Sequence, residues 1–315
     1  MNKLILSLGF SLIVFSAAAQ EIPRFNPDTI KTITLDSVVN IKAEKLNVEL
    51  FIRKIINDTS FYQSFRDMKR YSFVAENSVY TYDKHDKVNG SMYRKIKHDN
   101  HGKYKMEYLA KVDKGDIYKR NGKFQLYTVE MFDYIFMNSY NSDFINDGSA
   151  SDGSNGGKNE SYKDKLKTLV FNPGRPIKGI PFIGNKTEIF SANMRQYYDY
   201  SFSSGTYLDS IPVYRFTVVV KPDLSSFSKD KVMIKKLVTI FDKRNFNILG
   251  RYVDMKYSNL LFDFDVQMNI EMSYFEGAKL PTKISYQGNW NVPFKKEERA
   301  SFLVLHKDYK LEKSK

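Results

Sequence analysis

The 315-residue chain contains no cysteine. That excludes disulfide stapling, a thiolate nucleophile and cysteine-ligated zinc, so any fold must rest on an apolar core of its own. No apolar run reaches the eighteen or so residues of a membrane-spanning helix. The usual catalytic patterns are missing too. There is no Gly-x-Ser-x-Gly elbow, and the stretch ending Gly156-Gly157-Lys158-Asn159 carries Asp152 where a phosphate loop needs its first glycine. Asp143, Asp147 and Asp152 lack the alternating spacing of a calcium loop. The histidines are few. His98 and His101, with His85 one hairpin away, read as surface turn residues without the convergent donors that zinc requires. These absences lead to the expectation of a non-enzymatic protein with no metal and no cofactor.

What is present is a long alternation. Phe262, Phe264, Val266, Met268, Ile270, Met272 and Tyr274 are apolar, while Asp263, Asp265, Gln267, Asn269, Glu271 and Ser273 are polar. Period two requires an extended strand, here ~43 Å long at about 3.3 Å per residue. A strand of that length, apolar on one side, belongs to a large curved antiparallel sheet or a barrel. Asp263, Asp265 and Glu271 share its polar side at spacings that paired glycosidase carboxylates could use. The neighbouring Gln267, Asn269 and Ser273 mark the side as an ordinary solvated face. Aromatic residues make up 15% of the chain, with 22 Tyr and 24 Phe, and they suit pleated, half-buried surfaces.

The first residues read as a cleavable leader (1–19): positive Met1-Asn2-Lys3, apolar Leu4 to Phe15, then Ser16-Ala17-Ala18-Ala19. An exported protein in the periplasm, or on the periplasmic face of the outer membrane, is the expectation. The net charge of +13 is spread widely among strand positions. It fits a solvated basic surface or one turned toward an anionic membrane, with no role for nucleic acid.

After a polar lead-in (20–40), residues 41–56 show helical spacing, with Val48, Phe51, Ile52, Ile55 and Ile56 on one side. Asp58-Thr59-Ser60 offers a cap for a second helix whose apolar side is Phe61, Tyr62, Phe65 and Met68. Strands follow at 71–82, 90–97 and 103–112, then a hairpin around Asn121-Gly122 and a short helix at 129–140. A Ser/Gly/Asn/Asp-rich loop (141–160) is expected to be mobile, and 166–190, with three prolines, to be a connection or lid. The remaining strands are expected at 213–220, 236–241, 246–257, 261–275, 282–290 and 299–306. The whole of 41–310 reads as one α+β, mainly β domain, followed by a short tail (311–315).

The order of these segments, with the strand pairs TIFDKRNFNILGRYVDM and YFEGAKLPTKISYQGNW, resembles the half-barrel superfamily of outer-membrane lipoprotein carriers and receptors (LolA/LolB-like). The resemblance implies a long curved antiparallel sheet in a half-open barrel, packed on or plugged by helices. It also implies a binding role, with lipid or an acylated protein held in a hydrophobic concavity. The residues expected to line it are Phe262, Phe264, Val266, Met268, Ile270, Met272, Tyr274, Ile284, Tyr286 and Trp290. Methionine on that face suits an adaptable cavity. An envelope scaffold that pairs a partner through the sheet edge is the alternative, and an outer-membrane β-barrel a further one.

Overall fold

The computed structural model describes residues 46–100, 104–137, 171–175, 184–259, 262–291 and 297–311. The leader, the lead-in, His101, the loop at 141–160 and the tail beyond 311 lie outside them. Ten strands form a single antiparallel sheet. In chain order they are β1 (Tyr71–Tyr82), β2 (Val88–Asp99), β3 (Lys105–Gly115), β4 (Tyr198–Tyr207), β5 (Ile211–Val220), β6 (Ile234–Asp242), β7 (Ile248–Asn259), β8 (Phe262–Phe275), β9 (Ala278–Asn291) and β10 (Glu298–Leu311). The helices are α1 (Val48–Ile56), α2 (Ser60–Asp67), α3 (Tyr127–Phe132), α4 (Ala192–Arg195) and α5 (Ser226–Lys229).

The spatial order is β3-β2-β1-β10-β9-β8-β7-β6-β5-β4. Two meanders are therefore joined where the first strand pairs with the last, from Tyr71↔Leu311 to Tyr82↔Arg299. The edges are β3 and β4, which do not pair with each other, so the sheet is a half-open barrel. This order has a consequence. The chain leaves β3 at one edge and re-enters through β4 at the other, after a connection at 116–197. Its apolar residues, including Val129, Phe132, Phe136, Phe171 and Ile189, lie in the same core cluster as the sheet.

Local signals place the helices. Asn47 caps α1, its side chain accepting from the Leu50 amide at 2.9 Å, and Phe51, Ile52 and Ile55 are buried. Ile56, expected on that buried side, ends the helix exposed. Asp58 caps α2 by accepting from the amides of Ser60 and Phe61 at 3.1 and 3.0 Å. The expected helix at 129–140 starts earlier, at Tyr127, and continues as a π-turn over Asp133–Met137. The expected hairpin at Asn121-Gly122 amounts to one bridge, Tyr118↔Phe124, with Gly122 at φ 78°.

One strand was not foreseen. β4 reads Tyr-Asp-Tyr-Ser-Phe-Ser-Ser-Gly-Thr-Tyr and is largely exposed along its middle, so it carries no clean alternation. His98 also departs from expectation. It is buried, stacked on Phe73 with ring centroids 4.5 Å apart, and its Nδ1 is 2.9 Å from the Tyr104 hydroxyl. Burial, with the neighbouring His306 adding to it, pulls its pKa down to about 3. His85 is exposed in its turn, as expected. No group of three or more His, Asp or Glu that could hold a metal comes together among the described residues.

Candidate functional site

β8 is fourteen residues long and alternates as its sequence requires. Phe264, Val266, Ile270 and Met272 are buried in the main cluster, together with Ile284 and Tyr286 of β9. Met268 and Trp290 are only partly buried and pack against it. The register brings them side by side: Phe264↔Trp290, Met268↔Tyr286 and Ile270↔Ile284. Phe264 and Trp290 stack at 4.9 Å, and the Trp290 indole donates to the Tyr286 hydroxyl at 2.7 Å. Tyr286 is fully buried, which raises its pKa. Its ring needs Gly288, since a Cβ there would stand 2.1 Å from the Tyr286 hydroxyl. Eight of the expected residues are thus brought onto one apolar face.

Two are not. The side chain of Phe262 is outside what the structure describes. Tyr274 leaves the face and packs against a second cluster formed by Tyr207, Val213, Val238, Ile240, Leu249 and Tyr252. The β7–β8 ladder ends at Gly250↔Glu271, and β9 carries a bulge opposite Glu271/Met272. Beyond that point Tyr274 turns to the β6–β7 corner, where its hydroxyl donates to Asp242 at 2.9 Å.

Helices cover the apolar face. Phe132 stacks on Phe302 at 4.0 Å and lies 6.1 Å from Tyr286. The cover is made of short pieces. α3 has only six residues, and its first amides are held by the Glu298 carboxylate of β10, at 2.8 Å from both Tyr127 and Thr128. A carboxylate there satisfies otherwise orphan helix amides and complements the helix dipole. Seven methionines are buried in the main cluster and an eighth, Met268, packs on it, which leaves only Met68 and Met106 outside it among the described residues. Unbranched thioethers refill an irregular space more readily than branched side chains do.

Two cations are buried at this face. Arg251 of β7 precedes Val253, Met255 and Tyr257 at period two and is fully buried. Its Nη1 donates to the Phe171 carbonyl at 2.7 Å, and its guanidinium lies 4.4 Å from the centre of the Phe61 ring. Burial pulls its pKa down to about 10, partly opposed by Asp58. Lys279 of β9 donates to the Ser60 hydroxyl at 2.9 Å. Burial lowers its pKa to about 8, with Asp58 opposing and Arg251 adding to the shift. Sequence reasoning missed both: Arg251 stands in phase with Val253, Met255 and Tyr257, which was an available signal, while Lys279 is out of phase with Leu280, Ile284 and Tyr286 and gave none. The acidic residues of β8 behave as a solvated face: Asp265 pairs with Lys256 at 2.8 Å and Glu271 with Lys283 at 3.1 Å.

Fold and face together define a mainly β, half-open barrel whose apolar inner side is closed by helices. No helix among the described residues is long and apolar enough to cross a membrane. No family model matches the chain, and no curated protein matches it in sequence. Among solved structures it is similar to an outer membrane lipoprotein-sorting protein domain from Vibrio parahaemolyticus, at 10% identity and a TM-score of 0.27, over 84% of this chain and 94% of the other. It is also similar to a DUF1329 family protein from Desulfovibrio piger, at 10% identity and a TM-score of 0.24, over 81% and 91%. Both likenesses are diffuse, and at such scores neither bears on function.

Proposed function

We propose that the protein is an exported binding protein of the cell envelope, placed on the periplasmic side, that holds acyl chains of lipids or acylated proteins against this inner face. The observation that carries the reading is the kind of cover the face has. The apolar strands are overlaid by short, separately anchored pieces, α1 and α2 from before β1 and α3 with its neighbours from the connection between β3 and β4, over a methionine-rich interior, and among the described residues not by a second sheet. An acyl chain entering there would take over apolar contacts now made by α3, at ~0.8 kcal/mol per buried methylene. Exchange of one apolar cover for another leaves the overall balance nearly level, which is what reversible carriage needs. The reading assigns no chemistry to the protein, and its basic surface suits an anionic membrane.

Native mass spectrometry of protein purified from the envelope tests this, with a co-purifying lipid mass as the expected result. Bare protein that also ignores an uncharged fluorescent lipid probe contradicts it. A scaffold role is the second reading, favoured by one feature. β3 is an unpaired edge on which Tyr108, Leu109 and Val112 are 52%, 47% and 46% exposed. Such an edge can add a partner's strand.

A further inference from the structure

We propose that Arg251 and Lys279 form an oxyanion site, binding the carboxylate or phosphate head of an amphiphile whose chain lies along β8. The inference rests on the acyl-binding reading and adds the chemistry of the ligand's head. Arg251 uses only part of its donor set. Nη1 is spent on the Phe171 carbonyl, while among the described residues the buried Nε has no hydrogen-bond partner and no carboxylate forms an ion pair with the group. The edge left over, Nε with Nη2, is the fork that meets a carboxylate or phosphate with two parallel bonds. Thr239, its register partner on β6, is fully buried with its hydroxyl likewise unsatisfied. Native proteins rarely leave such groups orphaned, because an unmet buried donor is destabilising.

Charge points the same way. Asp58 is the acidic group that both cations feel, but its oxygens already serve the Ser60 and Phe61 amides and the Ser60 hydroxyl. Asp67 acts on Lys279 alone, from the far end of α2. An uncompensated buried cation is costly, and a bound anion removes that cost. Position fits as well. Arg251 pairs with Ile270 in register, and from there the apolar side of β8 runs through Met268 and Val266 to Phe264, roughly 20 Å at strand spacing.

The sole tryptophan, Trp290, stacks on Phe264 at that far end and reports on the chain's arrival. The test titrates mature wild-type protein, Arg251→Met and Lys279→Met with laurate, dodecyl phosphate, dodecanol and inorganic phosphate. Wild type is expected to bind both anionic amphiphiles about tenfold or more tightly than dodecanol, a difference of ~1.4 kcal/mol. Each variant loses that preference while its dodecanol affinity holds, and neither has a lower urea midpoint. Equal affinity of wild type for laurate and dodecanol overturns the head site and leaves acyl binding standing. Inorganic phosphate bound as tightly as dodecyl phosphate assigns the cations to a free anion and overturns the head-group role. Variants that lose stability but keep the preference make the cations structural. Failure to bind any amphiphile removes this inference together with the reading beneath it.

Discussion

The two apolar clusters on opposite faces of β6 bury their polar groups in different ways. On the smaller one, the hydroxyl of Tyr207 accepts from the Met272 amide at 3.1 Å and donates to the Met272 or Leu249 carbonyl, at 3.0 and 3.2 Å. The Tyr207 hydroxyl is thus fully used and the cluster holds no methionine, although on the same face the buried Nε of Arg215, register partner of Ile240, makes no hydrogen bond. The larger cluster is rich in methionine, and Arg251 and Thr239 beside it keep unsatisfied polar atoms. The difference that lasts is in the side chains: the face held by Tyr207 has no methionine, while the other carries the adaptable residues on which the proposed binding rests.

The comparison can be broken at several points. Phe51 of α1 packs within 6 Å, centroid to centroid, of Phe202, Tyr214, Phe216, Phe241 and Phe246, which ties α1 to β4–β6. Phe51→Ala should destabilise by about 3–5 kcal/mol in urea titrations, as for other large core truncations. Loss below 1 kcal/mol would mean that the cover over that end is already loose.

On either side of β1, burial lowers His98 of β2 to about 3 and His306 of β10 to about 4. Both are neutral in the fold and titrate normally, near 6.5, once unfolded. Their contribution is therefore complete above about pH 6.5 and drains away as pH falls through 4 and then 3. For His306 alone that is on the order of 3 kcal/mol. Urea midpoints measured between pH 7 and 4 should fall for wild type and flatten in His306→Gln.

Tyr207→Phe strands backbone groups of Met272 and Leu249, and roughly 1–3 kcal/mol should be lost. Met272→Leu, a swap of similar volume in the adaptable cluster, should cost below ~1.5 kcal/mol. If the two differences came out in the reverse order, the contrast between the face held by Tyr207 and the adaptable one would fail.

Much of this was legible in the chain. The unbroken alternation of β8 put Phe264, Val266, Met268, Ile270 and Met272 on one apolar face, because period two leaves no freedom about which side chains share a face. Tyr274 escaped because the end of the β7–β8 ladder and a bulge on the neighbouring strand redirected it, and neither has a local signature in β8. β4 escaped because an exposed edge with Ser201, Ser203, Ser204 and Gly205 needs no apolar rhythm. His98 looked like a turn residue since its partners, Phe73 and Tyr104, come from other parts of the sheet and the turn. Arg251 was visible as a charge in phase with Val253, Met255 and Tyr257, whereas Lys279 had no such signal, and the burial of both follows only from α2 and Phe171 lying over them.

Hydrogen exchange with and without saturating laurate tests the central claim most directly. If an acyl chain displaces the cover, amides at Val129–Phe136 should exchange faster in its presence, while those at Leu237–Phe241 and Leu249 keep their rates. Unchanged exchange across 129–136 at saturation would contradict the account.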